Sequence, residues 1–235
     1  MATEPLTPAL LLHRRPFREQ SQIIDIFSRE QGRLALMAHG GRERRQLLQP
    51  FQPRLLAWRG RGELPTLTAV EADGHLPLLQ GDALAAGFYL NELLLRLLPR
   101  HDPQPLLYQR YAQSLQQLAQ QGLEAWPLRL FERDLLAAIG YGIDLQHDAT
   151  GSPLQPQQRY HWIDQVGVLP HSGAGAALTI AGATLQALTA AHPPAPIVQR
   201  EARQLLQGVL TTLLGEQPLQ SRELLRRPPR LTVAT

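Results

Sequence analysis

Apolar and polar positions follow two different periods along this chain, and the change falls near residue 80. Between residues 8 and 73 the apolar positions form five short runs: "ALLLHRR", "SQIIDIFS", "GRLALMAHG", "PRLLAWRG" and "LPTLTAVEA". Pro, Gly and charged residues separate them. In "SQIIDIFS", Ile24, Ile26 and Ser28 alternate with Ile23, Asp25 and Phe27; in "GRLALMAHG", Leu34 and Leu36 alternate with smaller or polar neighbours. A period of two with frequent turns predicts a small antiparallel barrel or sandwich. Five strands in ~65 residues have the size of an OB-fold, although other five-stranded barrels fit almost as well.

Beyond Gly81 the period becomes helical. "DALAAGFYLNELLLRLL" (82–98) carries Leu84, Phe88, Leu94, Leu95 and Leu98 at helical spacing, opens on Asp82 as a candidate N-cap and stops at Pro99. Residues 105–122 and 127–142 repeat the pattern, closing on Gly122 and on Gly140 with Gly142. "ATLQALTAA" and "PIVQREARQLLQGVLTTLLG" predict a fourth and a fifth helix, and "SRELLRR" begins a short last one. Residues 147–175, rich in Gly, Pro and Gln, predict an irregular insert with one hairpin at most. The expected class is α+β. A five-stranded barrel domain spans 1–79, and a helical domain with a loop or hairpin insert at about 145–180 spans 80–235.

At 235 residues, 43% hydrophobic and 18% charged, the chain has an ordinary globular composition and can bury a sizeable core. No apolar stretch approaches the ~20 residues of a membrane span. The longest, "ALAAGFYLNELLLRLL", is broken by Asn91, Glu92 and Arg96, and the N-terminus has no basic segment ahead of its apolar run. These features predict a cytoplasmic protein that does not enter the membrane. There is no cysteine, which removes disulfides, thiolate zinc sites and cysteine nucleophiles. All 23 Lys+Arg residues are Arg, so neither a Walker-A lysine nor Schiff-base chemistry is available. The net charge of +3 divides unevenly: residues 1–61 carry 11 Arg against 5 acids, and residues 62–235 carry 12 against 15. A basic first part on a mildly acidic remainder points to a polyanionic partner, against the plainer reading of a solvated basic face.

The chemistry of an enzyme is not legible. His147, His161 and His171 are spaced 14 and 10 residues apart in predicted loop and read as solvated side chains, so no metal site is expected. "HSGAG" is not a nucleophile elbow, and "GYGID" closes a helix where a dinucleotide fingerprint would open one. Glu132 and Asp134 share a helix but point to different sides of it. No cofactor and no catalytic constellation are predicted.

The arginines of the barrel carry the functional signal. Arg14, Arg15 and Arg18 surround Pro16-Phe17, Arg33 opens the third strand, and Arg54, Arg59 and Arg61 bracket the fourth. In "MAHGGRERRQ" the third strand ends at His39, two glycines turn the chain, and Arg42, Arg44 and Arg45 follow. Arginines on successive turns of a small barrel can line one groove and bind a polyanion by counterion release. Phe17, Phe51 and Trp58 lie among them, to stack bases if exposed or to pack the core if not.

Several of these stretches together resemble the bacterial RecO family of recombination mediators. "LLLHRRPFREQSQIIDIFSREQGRLALMAHGGRER" resembles the family's opening, and "LQPFQPRLLAWRGRGELPTLTAVEA" its second barrel half. "FYLNELLLRLLP", "LRLFERDLLAAIGYGIDL" and "SRELLRR" resemble landmarks of its helical domain. The resemblance implies an N-terminal OB-fold that binds single- and double-stranded DNA, and a non-enzymatic role in annealing complementary strands. It also implies partners. With RecR, such proteins help to load RecA onto DNA coated by single-strand-binding protein (SSB), whose acidic C-terminal tail docks on the helical domain. Arg42, Arg44 and Arg45 match the family's basic loop, where Lys is usual; Arg serves phosphate at least as well. Arg129 falls where the family has a basic pair, here reduced to one Arg before Phe131, and with Arg133 it is the expected contact for the SSB tail. Zinc, which some relatives hold on four cysteines, is not expected here. The alternative function is a protein adaptor whose basic barrel does not bind DNA specifically.

Overall fold

The structure, a computed structural model, describes residues 5–40, 47–60, 62–171, 173 and 178–226. Five strands, β1 (Thr7–Phe17), β2 (Ser21–Ser28), β3 (Gly32–His39), β4 (Arg54–Arg59) and β5 (Thr66–Ala72), form a closed barrel. Its order is β1-β2-β3-β5-β4, the OB-fold arrangement. All pairings are antiparallel except β3 with β5, where Met37 pairs with Thr66 and donates its N–H to Pro65 O at 2.8 Å. Helices α1 (Gly81–Leu97), α2 (Pro105–Gln121) and α3 (Ala125–Ala138) follow. Next come β6 (Arg159–Ile163), β7 (Gly167–Pro170) and β8 (Thr179–Ala181), then α4 (Gly182–Ala187), α5 (Pro196–Leu214) and α6 (Ser221–Arg226). The chain forms two compact units, Met1–Leu123 with Leu219–Thr235, and Glu124–Pro218. The step from β5 to α1 near residue 80 thus lies inside the first unit.

The period-two pattern of β2 separates its two faces as expected. Ile24 and Ile26 enter the barrel core with Ala9, Leu11, Leu34, Leu36, Leu56, Trp58 and Leu67. The opposite face is covered too: the Phe27 ring meets Tyr108 of α2 edge-on, centroids 5.5 Å apart. At the bulge in β1 between Leu11 and His13 the ladder shifts register. Asn91 of α1 donates to Leu12 O at 2.8 Å and accepts from the Tyr111 hydroxyl, so the bulged carbonyl is satisfied from a helix.

Two helix details depart from the sequence pattern. The N-cap of α1 is Gln80, and Asp82 stands one step inside the first turn. There it complements the helix dipole without capping. The buried face of α1 combines four small residues, Ala83, Ala85, Ala86 and Gly87, with Tyr89, Leu90, Asn91, Leu93 and Leu94, while Phe88 is exposed and Leu84 and Leu95 are half-buried. Close approach explains this: a Cβ on Gly87 would stand 2.8 Å from Leu79 Cδ1 and 3.0 Å from the Phe51 ring. Apolar residues on every side of this helix conceal such a face from a periodicity argument.

In the second unit α3 starts two residues earlier than expected and ends at Ala138, where Gly140 (φ +84°) lets Tyr141 N–H reach Leu136 O at 2.8 Å. The fourth helix stops at Ala187. The expected irregular insert holds a three-stranded antiparallel sheet in the order β7-β6-β8. With four and three residues, β7 and β8 are too short to show a period. His161 accordingly sits on a strand, half-buried, its ring 6.0 Å from that of His171.

Gly32 supplies a stability prediction. Its φ is +70°, and a Cβ there would lie 2.2 Å from the backbone oxygen of Asp102. Gly32→Ala is expected to destabilise by at least about 2 kcal/mol, from the left-handed φ together with the clash. Chemical denaturation of the full chain measures it, with Gly122→Ala (open space around its Cβ) isolating the φ contribution.

Candidate nucleic-acid interface

Strand register sorts the candidate arginines between the two ends of the barrel. Phe17 pairs with Ser21, and Ser21 pairs with His39. Met37 pairs with Thr66, and Thr66 pairs with Arg59. The ends of β1, β3 and β4 and the starts of β2 and β5 therefore share one rim. That rim brings together Arg14, Arg15, Phe17, Arg18, His39 and Arg59. Arg42, Arg44, Arg45 and Arg61 lie outside the described residues; the first three follow His39 and Gly40 in sequence, and Arg61 follows Arg59 by two positions.

The backbones of Arg33 and Arg54 lie at the other end of their strands, although the Arg54 guanidinium reaches Leu47 O, next to the Leu48 O that accepts from Arg14. Arg33 pairs with Phe27 near the start of β3, and Arg54 pairs with Ala9 and Ala72. Both are half-buried, and each donates to a backbone carbonyl. Arg33 Nε donates to Leu98 O at 2.8 Å, while Arg54 donates to Leu47 O at 2.6 Å and to Pro53 O at 2.7 Å. Burial holds both guanidinium pKa values below the usual arginine range, and at Arg33 the nearby charge of Arg100 adds to that lowering.

On the shared rim the guanidinium groups are more available. Arg14, Arg15, Arg18 and Arg59 are exposed. Arg14 spends one N–H on Leu48 O at 3.3 Å, which ties the segment after β3 to β1. Arg18, at φ +55°, places its guanidinium carbon 5.2 Å from the centroid of Phe17. His39 Nδ1 lies 2.9 Å from Ser21 Oγ, bridging two strand ends. The exposed acids Glu19 and Glu63 stand in the adjoining turns and moderate the charge. Of the three aromatics, Trp58 belongs to the barrel core and Phe51 is buried against Phe88, centroids 5.2 Å apart; Phe17 is half-buried. The rim therefore brings several cations and one half-buried ring onto converging strand ends.

The two arginines of the second unit are placed differently. Arg129 is buried and ion-paired to Glu132, itself fully buried, one turn along α3. Arg133 is partly exposed; it pairs with Asp134 and donates to Leu188 O at the C-terminus of α4. Among the described residues no group of three His, Asp or Glu side chains could hold a metal ion, and no helix is long and apolar enough to cross a membrane.

Arg100 escaped the sequence reading. It stands 67 positions beyond Arg33 in an ordinary helix-ending turn, and only the folded chain sets the two side by side. No local signal marks such a pairing.

Comparison with known proteins matches both parts of the chain. A model of the recombination protein O N-terminal region matches residues 1–74, and one of its C-terminal region matches residues 78–223. The DNA repair protein RecO of Alkalilimnicola ehrlichii is 45% identical over 228 residues, covering 94% of this chain and 90% of the relative. That of Nitrosococcus oceani is 45% identical over 234 residues (96% and 94%), and that of Methylococcus capsulatus 42% over 227 (94% and 93%).

Proposed function

The chain belongs to the RecO family, and on that premise we propose that it acts in DNA repair as a recombination mediator that grips the DNA backbone with one rim of its barrel. Arg14, Arg15, Arg18 and Arg59 form the described part of the grip, with Arg42, Arg44, Arg45 and Arg61 in the adjoining loops. His39 and Phe17 complete it. The single observation that carries this reading is the register that gathers four exposed arginines from β1, the turn after it and β4 onto one edge. Contacts of this kind are to phosphate, so the grip takes single- and double-stranded DNA without reading sequence. Holding flexible strands by their backbones leaves base edges free to pair, which is what annealing of complementary strands needs. In this reading the protein works with RecR to load RecA onto SSB-coated DNA. The acidic SSB tail docks on the second unit near Arg133, and the work of the protein is binding, without bond-breaking chemistry.

The test is a salt titration of single-stranded DNA binding by the full chain and by R42Q/R44Q/R45Q. Three lost contacts are expected to weaken binding to all sequences alike and to flatten the slope of log affinity against log salt by about two units. An unchanged slope removes the loop from the grip. If the native chain binds no DNA even at low salt, the protein is an adaptor.

A further inference from the structure

We propose that the opposite pole of the barrel carries a second phosphate-binding site, the Arg33–Arg100 pair, and that it holds a second DNA strand. This rests on the reading of the protein as a DNA binder but uses different residues from the rim. The pair is built by backbone. The segment after α1 lies along the start of β3: Arg33 and Arg100 form a parallel bridge, and His101 N–H donates to Arg33 O at 2.9 Å. Arg33 Nε is anchored on Leu98 O, and Gly32 admits the backbone of Asp102 where no Cβ would fit. The two arginines are thereby held side by side on neighbouring backbone segments before any ligand arrives.

Their charges are not balanced. The charged groups that act on Arg33 are Arg100, which opposes it, and Asp25, which supports it. Asp25 projects from β2 and is largely buried, and it pairs with Arg100 at 3.3 Å. One carboxylate is therefore ion-paired to Arg100 and acts on Arg33 only through its charge. Asp102, the next acid along the segment, accepts instead from Gln104 at 2.9 Å. With the Arg100 side chain 42% exposed, the excess positive charge faces solvent. Arginine pairs with this preorganisation favour the multidentate oxygens of a phosphodiester, whose negative charge is permanent. The alternative anion, an acidic peptide, needs apolar anchoring as well, and the exposed neighbours Pro99 and His101 offer little of it. A strand on the rim and another at this pole would put two polynucleotides on one protein molecule, as strand annealing requires.

The experiment uses the full chain, a labelled single-stranded oligonucleotide to fill the rim, and its complement or a non-complementary strand as the second ligand. First-strand affinity, second-strand stoichiometry and annealing rate are read together. Arg100→Gln is expected to lower second-strand affinity roughly tenfold and its salt slope by about 0.7, leaving the first strand unaffected. Asp25→Asn removes the charge that acts on both arginines and is expected to act in the opposite direction, tightening the second strand. Misfolding cannot produce that opposition. The proposal is overturned if both variants bind a second strand like the native chain. It is overturned too if both lose first-strand binding and thermal stability together, since the pair is then a fold contact, or if a polyglutamate peptide competes at the pair and DNA does not. R14Q/R15Q/R59Q is the complementary arm. If it leaves first-strand binding intact, the rim reading fails, whatever Arg100→Gln does.

Discussion

Arg129→Ala lowers the stability of the second unit by about 3–5 kcal/mol, the usual cost of removing one partner of a buried ion pair. Glu132 has no exposed surface and Arg129 only 5%. The carboxylate left behind would be a charge in a medium that solvates it poorly, on a helix whose residues Phe131, Leu135 and Leu136 are also fully buried. Urea unfolding of the full chain, fitted with separate transitions for the two units, measures the loss. Arg129→Met combined with Glu132→Leu is expected to recover most of it, because two apolar side chains of similar volume remove both charges together. The consequence for partner binding is direct. An SSB-tail assay on Arg129→Ala would report unfolding, whereas Arg133→Gln, partly exposed, tests the proposed docking surface. Lost tail binding in Arg133→Gln at unchanged stability would support docking there; unchanged binding would move the site.

The legible parts of this protein were those whose physics is local. The five barrel strands follow from period-two runs with Gly and Pro between them, and β2 shows why: Ile24 and Ile26 face one core and Phe27 another. Helix ends at Gly122 and Gly140 were legible because a positive φ after a helix selects glycine. The small sheet of the second unit was not, since β8 is three residues long and pairs with β6 across about twenty residues of chain. At the candidate site, composition identified arginines but not their direction. Arg33 and Arg59 look alike in sequence, yet β3 and β4 place them at opposite ends of the barrel. Arg129 looked like a docking residue because a basic side chain beside apolar ones reads the same whether it faces solvent or a buried glutamate one turn away.

Neutralising the described rim arginines, R14Q/R15Q/R59Q, is expected to flatten the single-strand salt slope by about two units and weaken binding roughly 50-fold at physiological salt, from ~0.7 units per lost phosphate contact. The side chains of Arg15 and Arg59 form no hydrogen bond or ion pair with a described residue, and that of Arg14 forms one bond to a carbonyl. Their removal therefore takes charge from the rim with little loss of packing, and thermal unfolding of the triple variant should match the native chain. Phe17→Ala makes the contrast. Stacking contributes about 1–3 kcal/mol per base without releasing counterions, so affinity should drop while the slope stays as it was. Arg18 already lies near the Phe17 ring, which places the expected loss at the lower end of that range. Arg54→Gln, half-buried with its N–H groups already on Leu47 and Pro53 carbonyls, should change the slope and first-strand affinity far less than the triple variant does. If Arg54→Gln flattened the slope and R14Q/R15Q/R59Q did not, the backbone grip would not rest on the described rim arginines, because counterion release counts only the charges that meet phosphate.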